Sequence, residues 1–174
     1  MDLLEVAYNA FKPYIDGKKK PLNILEASNL WLYLAICNNT LRNEEVAYNI
    51  TQDVELKQKL KEARDIHKDV AEEINKLLKE DGIELPDDTQ EKPLGDFSNI
   101  PEGAKLNDEE IDNLMSFNLI LGINYATRGL TEAMRADVGL IFFKVIAKKN
   151  ALGLTIKSLM EKRGWLRTPP EYKV

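Results

Sequence analysis

Residue types that carry chemistry are scarce in this 174-residue chain. It contains one cysteine, Cys37, and one histidine, His67. A single cysteine excludes an internal disulfide and any CxxC metal or redox pair. The chain also has no P-loop and no G-x-G-x-x-G, G-x-S-x-G or H-E-x-x-H motif, so the common nucleotide-binding, hydrolase and metalloprotease signatures are missing.

Long runs of one charge sign and long apolar runs are also missing. The net charge is −5, from 29 acids and 24 bases, and the longest basic run is Lys18–Lys20. Nucleic-acid binding requires a concentrated basic face, so we predict none. No apolar run approaches the roughly 20 residues of a membrane span, and the opening MDLLEVAYNAFK has acids where a signal peptide needs bases. We therefore expect a soluble, cytoplasmic protein.

What the sequence does have is helical periodicity. It predicts helices at about residues 23–49, 52–80, 107–135 and 137–163. We expect these to form a bundle over residues 21–164, with an amphipathic arm and connector at 1–20 and an extended tail at 165–174. Asp137 is the preferred N-cap of the fourth helix, and a break at Gly129–Thr131 is the alternative.

Two helix starts and one long connection give the bundle its expected layout. Asn23 with Glu26, and Asn107 with Glu110, match the capping-box pattern. Residues 81–106 are rich in Gly, Pro and Asp and show no period. A connection of about 25 residues can return along a bundle and make the third helix parallel to the second. The predicted fold is all-α, a four-helix bundle of ferritin-like layout with a long crossover between helices 2 and 3.

Local motifs extend this likeness over nearly the whole chain. They are Glu26–Trp31, Asp53–Lys57, Leu106–Glu110, and the closing Gly164–Leu166 with Pro169–Tyr172. Together they resemble a ferritin-like family of unknown function from spore-forming bacteria, related to spore coat protein F. The resemblance implies no established activity.

Ferritin-like relatives imply a carboxylate-bridged pair of iron or manganese ions. Such a centre takes a Glu from each of two helices and a Glu-x-x-His from each of the other two. Glu26 and His67 are the two candidate ligands, but Arg64 stands three residues before His67, and the fourth helix has no histidine. Helix geometry also places Glu26 and His67 about 12 Å apart. We therefore expect no metal cofactor, with Glu26 serving its capping box and His67 a neutral core histidine bonded to a tyrosine or to backbone.

Two functions remain open. The favoured one is a non-catalytic structural or stress- and sporulation-related bundle that acts through self-association as a homodimer. Ile24, Trp31 and Ala35 form an apolar patch outside the expected core, which the arm or a second subunit would cover. The alternative is a binder or oxidoreductase-like protein in which Glu26, Tyr33, His67 and Asn118 line a cavity for a metal or small molecule.

Overall fold

Four long α-helices make up most of the described chain, which in this computed structural model comprises residues 5, 6, 8, 20–95, 97 and 99–172. They are α1 (Ile24–Ile50), α2 (Val54–Glu80), α3 (Asp108–Glu132) and α4 (Ala136–Arg163), with a short 3-10 turn at Glu102–Ala104. The described residues contain no β-strand, so the all-α prediction is confirmed. The predicted N-terminal arm lies almost wholly outside the described residues.

Polar contacts at one end of the bundle set the helix directions. Thr51, just after α1, donates to Asp108 at the start of α3 (2.5 Å). Arg163 at the end of α4 pairs with Asp53 at the start of α2 (2.6 Å). Helix α1 is therefore antiparallel to α2 and α3, and α4 is antiparallel to the same two helices. Since the crossover, residues 81–107, returns along the bundle, α2 and α3 are parallel, as predicted.

The helix starts follow local sequence signals. Both capping boxes are present: Asn23 and Glu26 exchange hydrogen bonds (3.0 and 3.1 Å), as do Asn107 and Glu110 (2.9 and 2.8 Å). The side chain of Asp53 caps α2 by accepting from two amides of the first turn. These caps satisfy backbone donors that a helix start leaves without partners.

The break between α3 and α4 falls at residues 133–135, between the two predicted positions. Asp137 as the cap is wrong: Arg135 is the N-cap residue, and Asp137 lies in the first turn, paired with the Arg135 guanidinium (2.8 Å). The Arg135 side chain makes no capping hydrogen bond, but Glu26 Oε1 of α1 accepts the backbone amides of Met134 (2.8 Å) and Arg135 (2.6 Å) in the break. One buried carboxylate thus joins the start of α1 to this break.

The inward stripes of the helices form the core. The α2 seam is buried throughout, at Leu56, Leu60, Ala63, His67, Val70, Ile74 and Leu77. On α3 the inward residues are Ile111, Asp112, Met115, Leu119, Gly122, Ala126 and Gly129. Beside this stripe, Asn118 is half-buried and Tyr125 is 46% exposed.

The crossover is held against α1 mainly by hydrogen bonds to Asn49. Asn49 bonds the crossover backbone twice through its side chain (2.8 and 2.9 Å), and its carbonyl accepts the Phe97 amide (3.2 Å). Leu94 and Phe97 are close to half exposed, and Ile100 is the crossover residue that packs against the core cluster at this end. Hydrogen bonds therefore hold this part of the crossover against α1 more than apolar contacts do.

The two tryptophans contact different parts of the bundle: Trp31 of α1 contacts the crossover, and Trp165 lies just after α4. Trp31 is 38% exposed and donates to the carbonyl of Glu84 (3.0 Å), so the crossover covers part of the patch for which the sequence suggested an arm or second subunit. Trp165 and Leu166 pack against the core after Gly164 ends α4 at φ 73°. No helix in the described residues is long and apolar enough to cross a membrane.

Candidate functional site

Three charged or polar side chains meet inside the bundle. Glu44 of α1, His67 of α2 and Lys149 of α4 are 6%, 3% and 2% exposed. His67 Nδ1 lies 2.8 Å from Glu44 Oε1, and His67 Nε2 lies 2.6 Å from Lys149 Nζ. With the ammonium donating to Nε2, Nδ1 carries the ring hydrogen and donates to the carboxylate. We call these three residues the central triad.

Helix α3 makes room for the lysine of the triad. A Cβ atom at Gly122 would lie 2.6 Å from Lys149 Nζ and 3.0 Å from its Cε, closer than atoms can approach. The absence of a side chain at Gly122 therefore lets the ammonium lie against the α3 backbone. All four helices contribute to this point in the core.

The surroundings of the triad are poorly solvated. Burial lowers the pKa of the Lys149 ammonium, while nearby Cys37 and Glu44 act in the opposite direction. Burial raises the pKa of the Cys37 thiol to about 12, so it stays protonated at neutral pH and is a poor nucleophile. Burial also raises the pKa of Tyr33, whose hydroxyl has no hydrogen-bond partner among the described residues. In an environment with little water, opposite charges attract each other more strongly than they do in bulk water.

A pocket of about 290 Å³ reaches the triad from the surface between α1 and α3. Glu44 and His67 form its polar end, together with the half-buried Asn118 of α3, and the exposed Asn43 of α1 also lines the pocket. Its walls are apolar and consist of Val46, Ala47, Ile50, Leu60, Ile111, Leu114, Met115 and Leu119. Residues 104–106 of the crossover form the rim, where the Lys105 ammonium pairs with Glu102 (2.9 Å). Apolar walls with a few converging polar groups are typical of small-molecule sites.

The residues at the triad do not fit the two-metal centre that the ferritin-like layout implies. His67 Nε2, the nitrogen left over after its bond to Glu44, faces the Lys149 ammonium. A cation placed there would be repelled by that ammonium. Among the described residues, no group of three or more His, Cys, Asp or Glu side chains is arranged to hold a metal ion.

The structure separates the two metal candidates named from the sequence. Glu26 lies at the end of the bundle near the α3–α4 break, with both oxygens bonded, whereas His67 lies in the triad. The predicted partners of His67, a tyrosine or backbone, are wrong, because both ring nitrogens bond to charged side chains. Of the four residues predicted to line a cavity, His67 and Asn118 line the pocket, and Glu26 and Tyr33 do not.

Sequence reasoning missed Glu44 and Lys149, although a signal existed for each. The inward stripe of α4 alternates steps of three and four residues, and Lys149 fills the position between Val145 and Leu152. Glu44 follows Leu41 by three residues and continues the inward stripe of α1. A charged residue inside an apolar stripe signals a buried partner.

A second buried carboxylate has a structural role. Glu45 is fully buried, pairs with Arg42 (3.2 Å) and Arg64 (3.6 Å), and accepts the backbone amide of Lys92 from the crossover (2.8 Å). Arg64, which occupies the position of a metal ligand in the ferritin-like pattern, thus faces Glu45. This cluster fixes the crossover beside α1 and α2.

Comparisons with known proteins agree with the resemblance read from the sequence. The profile of a family described as "Protein of unknown function (DUF3231)" matches residues 11–174. An uncharacterized protein, YvdQ of Bacillus subtilis (strain 168), is 27% identical over 151 residues, which cover 87% of this chain and 89% of that protein.

Solved structures confirm the fold. A candidate spore coat protein of Bacillus halodurans C-125 superposes with a TM-score of 0.86 at 28% identity, over 89% of this chain and 98% of that one. A two-domain protein of Anabaena variabilis ATCC 29413, with DJ-1/ThiJ/PfpI-like and ferritin-like domains, gives 0.65 at 16% identity, over 86% of this chain and 40% of that one. The ferritin-like bundle predicted from the sequence is therefore confirmed.

Proposed function

This chain belongs to the DUF3231 family of proteins of unknown function, and on that premise we propose that it is a non-enzymatic bundle that binds a small molecule beside the central triad. The observation that carries the proposal is the pocket of about 290 Å³ with apolar walls and a polar end formed by Glu44, His67 and Asn118. Pockets that bind small molecules usually start at about 300 Å³, so the ligand is small.

The side chains at the polar end favour binding over catalysis. Lys149 is not part of the pocket lining and lies behind His67. The Cys37 thiol is buried and protonated at neutral pH. Among the described residues that line the pocket, none is a nucleophile with an adjacent free base, and such a pair is what covalent catalysis requires.

A fragment screen by protein-observed NMR tests this function. We expect several small apolar fragments to shift the amide signals of Ala47, Ile50 and Met115, which line the pocket. Leu114→Trp, at the 42% exposed pocket wall, should abolish these shifts because the indole fills the space. Leu154→Trp, at a 72% exposed position of α4 outside the pocket, is the matched control and should leave them intact. Shifts scattered over the surface, or unaffected by Leu114→Trp, would refute the proposal.

Self-association as a homodimer is the second candidate function. Four exposed apolar side chains follow one face of α3 at steps of three and four residues: Leu114, Phe117, Leu121 and Tyr125 are between 39% and 56% exposed. Exposed apolar patches of this kind mark association sites, and a structural role agrees with the relative named as a candidate spore coat protein. A cytoplasmic location stays a prediction from the sequence.

Light scattering distinguishes the two surfaces that could mediate association. A dimer that dissociates in Phe117→Glu identifies the α3 face, whereas one that dissociates in Trp31→Glu or on removal of residues 1–15 identifies the patch predicted from the sequence. A monomer at micromolar concentration in the full chain would exclude both. Thermal unfolding of each variant controls for loss of fold.

A further inference from the structure

The carboxylate at the polar end of the pocket has unused capacity to accept hydrogen bonds. Glu44 is 6% exposed, and its hydrogen-bond donor among the described residues is His67 Nδ1, at 2.8 and 3.1 Å from its two oxygens. An ionised carboxylate offers about four acceptor positions, and buried polar groups are nearly always satisfied. The pocket that Glu44 lines is therefore where a further donor can reach it.

The net charge of the triad restricts what that donor can be. The Lys149 ammonium donates to His67 Nε2, and the neutral ring donates to the Glu44 carboxylate, so the triad as a whole carries no net charge. A cationic ligand would lose its hydration and would meet a carboxylate whose charge is already balanced. An anionic ligand would meet the Glu44 carboxylate directly. An uncharged donor avoids both costs.

Asn118 supplies the complementary group. It lines the pocket on the α3 side, is half-buried, and makes no hydrogen bond within the described part of the chain. Its amide can donate to an oxygen whose own hydrogen is given to Glu44. One hydroxyl group satisfies both residues, since it carries one donor and two acceptor lone pairs.

We propose, on the basis of the ligand-binding function above, that the pocket takes an uncharged, mostly apolar alcohol or phenol whose hydroxyl donates to Glu44 and accepts from Asn118. The eight apolar wall residues hold the hydrocarbon body, and the volume of about 290 Å³ limits it to a small ring system.

A matched series on one ring system tests the head-group preference. The probes are 2-naphthalenemethanol, 2-naphthylmethylammonium, 2-naphthoate and 2-methylnaphthalene, with dissociation constants measured by NMR titration of the full chain. We expect the alcohol to bind about tenfold more tightly than each of the other three, in line with a hydrogen bond to a charged acceptor. In Glu44→Gln the preference of alcohol over hydrocarbon should fall below about threefold, while the hydrocarbon affinity is unchanged.

The outcomes separate this inference from the function on which it rests. If the hydrocarbon binds and Leu114→Trp blocks that binding, but the alcohol binds no more tightly than the hydrocarbon, the binding function stands and the hydroxyl inference is overturned. Tighter binding of the ammonium or the carboxylate also overturns the inference. If no probe binds in the pocket, both fail. Asn118→Ala is a second test that leaves the triad residues unchanged. It should weaken the binding of the alcohol and leave the binding of the other probes unchanged.

Discussion

Replacing Lys149 by methionine removes the positive charge of the central triad while keeping the length of the side chain. Glu44 and His67 would then be buried without the ammonium that lies 2.6 Å from His67 Nε2. Removing one partner of a buried ion pair costs about 3–5 kcal/mol, because the remaining charge stays desolvated. We expect Lys149→Met to lose an amount in this range, a large part of the roughly 5–15 kcal/mol that stabilises a typical domain.

Urea unfolding followed by circular dichroism at neutral pH measures this loss. With a slope of about 2 kcal/mol per molar urea, the midpoint should fall by about 1.5–2.5 M with little change in slope. The double variant Lys149→Met with Glu44→Gln removes both charges, so it should be less destabilised than the sum of the single variants by about 2 kcal/mol.

The neighbouring lysine provides the control. Lys148 is 44% exposed and pairs with Asp69 on the surface (3.0 Å), so Lys148→Met should change stability by less than about 1 kcal/mol. A Lys149→Met variant within about 1 kcal/mol of the parent, or strict additivity in the double variant, would refute the account of the triad as a balanced buried unit.

Three further predictions concern other parts of the bundle. Gly129→Ala should destabilise the protein by more than about 1 kcal/mol, because the added Cβ would lie 2.5 Å from the Phe142 ring. At Gly153 the nearest contact of an added Cβ is 4.0 Å away, so Gly153→Ala should stabilise α4 by about 0.5–1 kcal/mol. Thermal unfolding of both variants measures the difference. Asp112 is buried with no hydrogen-bond partner among the described residues, and burial raises its pKa to about 6, so the stability it contributes is complete below about pH 4 and lost as the pH rises through 6. Asp112→Asn should therefore exceed the parent in urea midpoint at neutral pH and match it near about pH 4. Protein purified without chelator should carry iron or manganese well below one atom per chain by elemental analysis, and show no ferroxidase activity; stoichiometric metal that is lost in Glu26→Ala would contradict this.

The sequence predicted those parts of the fold that depend on neighbouring residues. Each capping box, at Asn23 and at Asn107, can be recognised from four consecutive residues. The buried residues of α2 repeat with a strict helical period. The α3–α4 break was misplaced because its amides are capped by Glu26, more than 100 positions earlier in the chain.

The candidate site was predicted only in part, for a related reason. His67 stood out as the one histidine in an apolar seam, and Asn118 was recognised as lining a cavity with it. The predicted partner of His67 was a tyrosine or a backbone group, whereas its partner on α1 is Glu44. The axial register between helices is set by end contacts such as Thr51 with Asp108, which join residues far apart in sequence.

Lys149 gives the centre of this bundle a cation that is part of the polypeptide. A metal ion held by side chains binds with a finite affinity and exchanges with metal in solution. Its presence in the site depends on the metal concentration and on the oxidation state of the ion. The charge of Lys149 is present once in every copy as soon as the chain is synthesised, and no chelator can remove it. The positive charge that faces the buried His67 and Glu44 in the folded state is therefore supplied by the chain itself.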